Sequence, residues 1–424
     1  MNLYLLSNPV LEFLGSGEAL TVYIAALLIL ICIIAVQVLI ALNIIGKKAG
    51  ERGANLDTGN KGAGDGESRF NMLCAIDKEM KVYKEPEYDR ISLEEFCYRF
   101  RDYSANELGL YYDIEDVRRF VAGLGVTRLV ILQGMSGTGK TSLAYAMGQF
   151  LGNDSVIVPV QPMWKERSDL IGYFNEFTKR FNETTLLRKM YEAGYRRELY
   201  ITVLDEVNIS RIEYYFAEFL SLLELPDPEK RYLDVVSDVW YGDPIMLKDG
   251  KIKLPPNMWF VGTANNDDST FAISDKVYDR AMILNLDKRC SPFEADYAEP
   301  VKISYEYWNE LIDDAVASFS LSEAAMEKIK RLDGYLSEKY RITFGNRIMK
   351  QIEKYVPVML ACGGNENGAV DDILSKKVLR KLEQQNPGYI KSTADDLIAF
   401  IEELFGKGEM PLCIECIERL CRIM

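Results

Sequence analysis

Apolar and polar positions along the chain fall into short blocks. Four unbroken apolar runs stand out: Leu129–Leu132, Leu199–Leu204, Met258–Thr263 and the centre of "AMILNLD" after Arg280. Each is only four to six residues long and is bounded by Gly, Asp or Asn, the pattern of a strand buried on both faces. Between and around them the apolar spacing becomes helical. Ile114, Val117, Phe120, Val121 and Leu124 form one stripe; Ile212, Phe216, Phe219, Leu220 and Leu223 form a second; Ile348, Ile352, Tyr355 and Val356 form a third. Strands alternating with helices predict an α/β core with a parallel sheet flanked by helices. From about Leu311 onward only helical patterns remain. Ser320-x-x-Glu323 reads as a capping box opening one of these helices. Ile245–Pro255 reads as a β-hairpin around Asp249-Gly250.

One run is different in scale. Leu20 to Ile45 contains no charged residue, and a spanning helix needs about 20 apolar residues. A cleaved signal peptide would have a basic start and a shorter apolar run, whereas Glu12 and Glu18 precede this one. Lys47, Lys48 and Arg52 follow it directly, which places the rest of the chain on the cytoplasmic side and the short tail outside. Gly46 to Arg69 is rich in Gly, Asn, Asp and Lys without apolar period, as a flexible linker is. The expected organisation is an extracytoplasmic tail (1–19), a single-pass cell-membrane helix (20–45), a linker (46–69), an α/β domain (70–310), and an α-helical lid with C-terminal helices (311–424).

Composition narrows the chemistry. The 424 residues hold no histidine, which excludes Ser-His-Asp and Cys-His catalysis and HExxH zinc sites. A net charge of −14 argues against an exposed nucleic-acid-binding face. The basic run Lys376–Lys381 reads as a solvated helix face. Cys413-x-x-Cys416 with Cys421 lacks the fourth ligand of a structural zinc; a partly buried last helix, with Leu412, Ile414, Ile417 and Leu420, is the simpler reading.

The candidate chemistry sits at the ends of the apolar runs. Gly134-x-x-x-x-Gly139-Lys140-Thr141 follows the first run and opens a helical pattern, the strand–loop–helix context of a phosphate-binding loop. Its glycines let backbone N–H groups surround phosphate oxygens, and the helix N-terminus adds partial positive charge. Gly134, Ser136, Gly137, Thr138, Gly139, Lys140, Thr141, Ser142 and Asp205 are the candidate nucleotide-binding residues, with Thr141 and Asp205 as Mg²⁺ ligands. Asp205-Glu206 ends the second run, where Asp orders a metal and Glu can act as general base on a water. Asn265 ends the third; its amide either orients that water or caps a turn. Arg280 lies fifteen residues on and is either a finger reaching a neighbouring subunit's γ-phosphate or one half of a surface ion pair. Tyr111 or Tyr112 stands near the base, or simply packs in the core.

Together these motifs resemble the AAA+ ATPases, and within them the branch that includes McrB, MoxR and dynein-like proteins. The resemblance spans about Leu93 to Met359. It implies that Gly134–Thr141 is Walker A, Asp205-Glu206 Walker B, Asn265 sensor 1 and Arg280 the arginine finger. Pro162–Phe177, with Asp169–Gly172, resembles the helix-2 insert, and Ile245–Pro255 stands at the pre-sensor-1 hairpin. Arg347, in the first turn of a helix, holds the sensor-2 position; the resemblance implies that it touches the γ-phosphate from the lid, the alternative being a surface arginine. Asn208 and Arg211 match a pattern of McrB-like members, Arg211 as a second trans-acting charge. In the sensor-1 segment Ser269 replaces an Arg of McrB, so GTP specificity is not implied, and ATP is expected over GTP.

The implied protein is a membrane-anchored AAA+ NTPase, with ATP (or GTP) and Mg²⁺ as cofactors, working as a homo-oligomeric ring, a hexamer, that remodels or translocates a partner. The McrB-like motifs imply an McrC-like nuclease or other effector subunit in an antiviral defence system, without direct nucleic-acid contact by this chain. The alternatives are a MoxR-like chaperone that assembles or metallates a membrane complex, and a nucleotide-gated scaffold with little turnover.

Overall fold

The computed structural model describes residues 68–265 and 270–423. The apolar run at 20–45 lies outside these residues. Among the described residues no helix is long and apolar enough to cross a membrane.

The core is a five-stranded sheet. Its strands are β1 (Leu129–Gly134), β2 (Val156–Pro159), β5 (Tyr200–Asp205), β8 (Met258–Asn265) and β9 (Met282–Asn285). Between β2 and β5 come two short strands, β3 (Gly172–Asn175) and β4 (Arg180–Glu183); between β5 and β8 come β6 (Tyr232–Asp234) and β7 (Lys251–Lys253). The spatial order of the main sheet is β2-β5-β8-β1-β9, and every pairing in it is parallel. All five carboxyl ends therefore lie on one edge.

Period-two packing explains why these runs are apolar throughout. Val130 and Leu132, Ile201 and Val203, and Trp259 and Val261 enter one core. Their neighbours Leu129 and Ile131, Tyr200 and Leu204, and Met258 and Phe260 enter the other. Both faces are covered, so no polar face survives in the sequence.

The helix Ile114–Val126 covers the first face, capped by Asp113, whose side chain accepts from the Glu115 N–H. The C-terminal helices Tyr305–Ser318, Glu323–Tyr340, Gly345–Ala361, Glu366–Lys377, Pro387–Phe405 and Pro411–Ile423 share that same core through residues such as Trp308, Ile352, Val358, Leu374 and Leu420.

Three local readings need correction. The turn at Asp249-Gly250 forms, with φ of 51° and 74° and reciprocal Lys248–Lys251 backbone bonds of 2.9 Å. Its arms do not pair with each other beyond that bridge; β7 pairs with β6 instead. The helix after Ser320 starts at Glu323, and its cap is Ser322, which accepts from the Ala325 N–H at 3.1 Å. The run Lys376–Lys381 is not a solvated face: Lys376 and Lys377 are buried, and Lys377 donates to two backbone carbonyls, Tyr278 O at 2.6 Å and Ala281 O. The packed fold already includes Arg69, whose guanidinium pairs with Asp243 at 2.7 Å and stacks on Trp240.

Candidate functional site: the carboxyl edge of the sheet

The register of β1, β8 and β5 decides which side chains meet. Gly134 is level with Asn265, and Leu204 is level with Gly262. Strand tips carrying the phosphate loop, Asn265 and Asp205-Glu206 are thus adjacent, in that order. This is the carboxyl edge of an open parallel sheet, where ligands bind in such folds.

The loop after β1 has the shape a phosphate chain needs. Gly134, Gly137 and Gly139 have φ of 144°, 78° and 92°, and a Cβ on Gly134 would stand 2.2 Å from Leu286 O. Only glycine fits there. The helix Lys140–Phe150 opens at this loop. Lys140 Nζ donates to Gly134 O at 3.0 Å and Met135 O at 2.7 Å, folded over the loop rather than away from it. Thr138 donates to Met135 O at 3.0 Å; Ser136 is exposed and Ser142 half-buried. Of the two candidate tyrosines, Tyr112 meets the loop: it is buried, its hydroxyl donates to Gly139 O at 3.3 Å, and burial pushes its pKa up. Tyr111 packs edge-on against Phe293.

Thr141 Oγ1 donates to Asp205 Oδ1 at 2.7 Å. Two hard oxygen donors side by side, at the mouth of a phosphate loop, suit Mg²⁺, which takes few protein oxygens and completes its shell with water and phosphate. The residues fit a Mg²⁺–nucleotide, with Thr141 and Asp205 as the protein ligands. A bound metal would supply charge to spread over the phosphate oxygens.

Glu206 has φ of 56°, unusual for a residue with a side chain. Thr263 on β8 holds this turn. Its hydroxyl donates to Asp205 Oδ1 at 2.7 Å and accepts from the Glu206 N–H at 2.9 Å. One buried hydroxyl therefore sets both acidic residues. Asn265 Nδ2 donates to Glu206 Oε1 at 3.4 Å, so the amide and the carboxylate share the space where a water would be oriented and deprotonated. Behind them the buried Asn208 donates to Asn265 O at 2.8 Å and Thr270 Oγ1 at 3.0 Å, fixing the tip of β8. Arg211 lies 5.2 Å over the Phe271 ring.

Two predicted residues are elsewhere. Arg280 Nη2 lies 2.7 Å from Glu224 Oε2, and Arg347 pairs with Glu224 Oε1. Both line a cleft of 670 Å³ with Thr127, Arg128 and Leu129, at the amino end of β1. The length of β1, from Leu129 to Gly134 at about 3.3 Å per residue, separates that edge from the phosphate loop. Within one chain Arg347 therefore lies away from the phosphate loop, beside Glu224. Helix Gly345–Ala361 packs along helix Ile114–Val126 and carries its first turn to the amino edge, beside Arg280. Within one chain both arginines are ion-paired.

Pattern reading missed Thr263, Glu224 and Arg289. A hydroxyl inside the apolar "WFVGTAN" was a signal for the first. Arg289 Nε donates to Gly137 O at 2.7 Å, bringing a cation to the phosphate loop from the segment after β9; only its position after the strand hinted at this. Nothing local marked Glu224.

No curated protein matches the chain. Among solved structures, one named a "putative ATPase" from Cytophaga hutchinsonii aligns at 12% identity and TM-score 0.45, covering 78% of this chain and 96% of that one. A full-length MCM homolog from Methanopyrus kandleri aligns at 13% identity and TM-score 0.36, covering 68% and 62%. Residues 299–423 match a domain of unknown function (DUF8727). Residues 129–281 match the AAA domain of the dynein-related subfamily, and the phosphate loop, Asp205-Glu206 and Asn265 all lie within that match.

Proposed function

We propose that the chain is a membrane-anchored, ATP-hydrolysing AAA+ motor whose sites are completed between the subunits of a ring, a hexamer. The observation that carries this reading is a separation within one chain. Glu206, Asn265, Thr141 and Asp205 gather at the carboxyl edge of the sheet, while Arg280 and Arg347 gather at the amino edge. A transferring phosphoryl group needs both sets: a base and a positioned water on one side, and fixed positive charge on its oxygens. A neighbouring subunit is the natural source of the second. In that ring Glu206 takes a proton from the attacking water, Asn265 orients it, Lys140 and the loop amides hold the phosphates, and the neighbour's Arg280 and Arg347 meet the charge that develops.

The apolar run 20–45 and the basic residues after it support the membrane anchor and a cytoplasmic motor. The McrB-like motifs support an effector subunit, an McrC-like nuclease, as the partner that the motor drives.

The test is turnover of ATP and of GTP per subunit as protein concentration rises, with Glu206→Gln as control. Turnover that climbs with concentration, prefers ATP and disappears in the variant is expected. Turnover per subunit that stays constant down to concentrations where the chain is monomeric would overturn the ring. Purification at low salt is expected to bring down an effector subunit; recovery of the motor alone would remove that partner.

A further inference from the structure

The turn that carries Arg280 is not self-supporting. Helix Asp275–Tyr278 has four residues, far below the length at which a helix holds itself. Its last carbonyls need partners. They find them in side chains from the C-terminal helices. Lys377 Nζ donates to Tyr278 O at 2.6 Å and also to Ala281 O. Gln351 Nε2 donates to Asp279 O at 3.1 Å. Those three carbonyls bracket Arg280 on both sides. Arg380 pairs with Asp275 and lies 3.8 Å over the Tyr278 ring, and Lys381 stands 3.8 Å from Asp279.

Every one of these donors lies in residues 299–423, the segment that matches a domain of unknown function. Lys377 is 2% exposed. A lysine is rarely buried so fully, and burial lowers its pKa. An ammonium or amine aimed at two backbone carbonyls is a costly way to pack a helix, but a direct way to hold a turn.

We propose that the C-terminal helical domain is a positioning element for Arg280, and that Lys377, helped by Gln351, fixes the turn from which Arg280 reaches the neighbouring subunit's nucleotide. This rests on the reading that Arg280 acts in trans. A shift of about 1 Å in a charge-stabilising group costs on the order of 100-fold in rate, so a turn held by three side-chain bonds is a sensitive place to set activity.

The experiment uses the full chain and mixed rings. Lys377→Met keeps the stem and removes the donor. It is expected to lower turnover at saturating ATP by about 10- to 100-fold while its own site binds ATP as before. Subunits with Glu206→Gln keep an intact finger and are expected to restore turnover when mixed with Arg280→Ala subunits. The double variant Glu206→Gln/Lys377→Met is expected to restore it several-fold less. Gln351→Leu, which removes the single bond to Asp279 O, is expected to show the same donor-side defect to a smaller degree in a chain that retains Lys377. Equal rescue by the single and double variants would overturn this inference and leave the trans reading standing. Failure of Glu206→Gln itself to rescue Arg280→Ala would overturn the trans reading, and this inference with it. Loss of ATP binding in both Lys377→Met and Gln351→Leu would make the contacts structural only, and would also overturn it.

Discussion

Arg280 and Arg347 close on the two oxygens of one carboxylate, Glu224. They come from different parts of the chain, Arg280 from the turn before β9 and Arg347 from the first turn of helix Gly345–Ala361. Two guanidiniums so close repel each other, and Glu224 is the charge that allows it. The surrounding cleft adds Arg128, Arg231, Lys350 and Lys354, so positive charge is in excess there. A group of phosphate oxygens arriving from a neighbour would compete with Glu224 for the same donors.

That competition gives a first prediction. Glu224→Gln keeps the shape and removes the charge. In the proposed ring it frees both arginines, and the protein concentration giving half-maximal ATP turnover is expected to fall several-fold. The effect shrinks with added salt, because the pair is partly exposed and screened. A rise in that concentration would mean that Glu224 orients the arginines rather than competing with the phosphate.

Thr263 gives the second. Thr263→Val is nearly isosteric but loses the bond to Asp205 and the one from the Glu206 N–H. An unmet backbone donor costs up to about 1–3 kcal/mol when buried and less at this part-buried position, here at the turn where Glu206 already holds a φ of 56°. The expected result is ATP turnover down by about 10-fold or more, with ATP binding weakened less. Steady-state kinetics beside nucleotide titration separates the two. Unchanged turnover would remove Thr263 from the site.

The phosphate loop gives the third. Gly134→Ala would put a methyl group 2.2 Å from Leu286 O, and it would do so at a φ of 144° that alanine avoids. Nucleotide binding is expected to be lost, measured by titration with a fluorescent ATP analogue. Arg289→Ala removes only the bond to Gly137 O and is expected to weaken binding by a few-fold. It reports whether the residue after β9 belongs to the site.

What was legible in the sequence follows from how each feature is encoded. The sheet was legible because strands buried on both faces are continuous apolar runs, as Leu129–Leu132 and Met258–Thr263 are. The strand tips that form the candidate site were legible because Gly134, Asp205 and Asn265 interrupt those runs at their carboxyl ends. The Asp249-Gly250 turn was legible because its φ values demand such residues; its strand partner was not, because three-residue strands carry almost no period. Ser322 displaced Ser320 as cap because two serines in reach of one helix start differ only in geometry. Glu224 and Lys377 were invisible for a different reason. Each acts across more than fifty residues of chain: Glu224 stands exposed between Leu223 and Leu225 with nothing local to mark its partners, and Lys377, in a charged run, reads as solvent-facing although tertiary packing buries it.

Lys377 itself carries the last prediction. Burial lowers its pKa from 10.5 to about 7, against the pull of Asp279 and with the push of Arg380, Lys381 and Arg347. The folded pKa is below the unfolded one. Between the two values the unfolded chain holds a proton that the folded chain has released, so raising the pH favours the folded state. Below about pH 7 both states are protonated, and the full cost of burying the ammonium is present. The expected contribution is a gain in stability as pH rises from about 7 to about 9, at a slope of at most about 1.4 kcal/mol per pH unit. The neutral amine still has two hydrogens for Tyr278 O and Ala281 O, so the turn keeps its partners across that range. Lys377→Met lacks the titrating group. Denaturant midpoints of the two proteins, measured at intervals over that range, are expected to diverge with the native protein gaining. Parallel curves would mean that Lys377 keeps its ordinary pKa, and therefore that water reaches it and the turn at Arg280 is looser than the bonds to it imply.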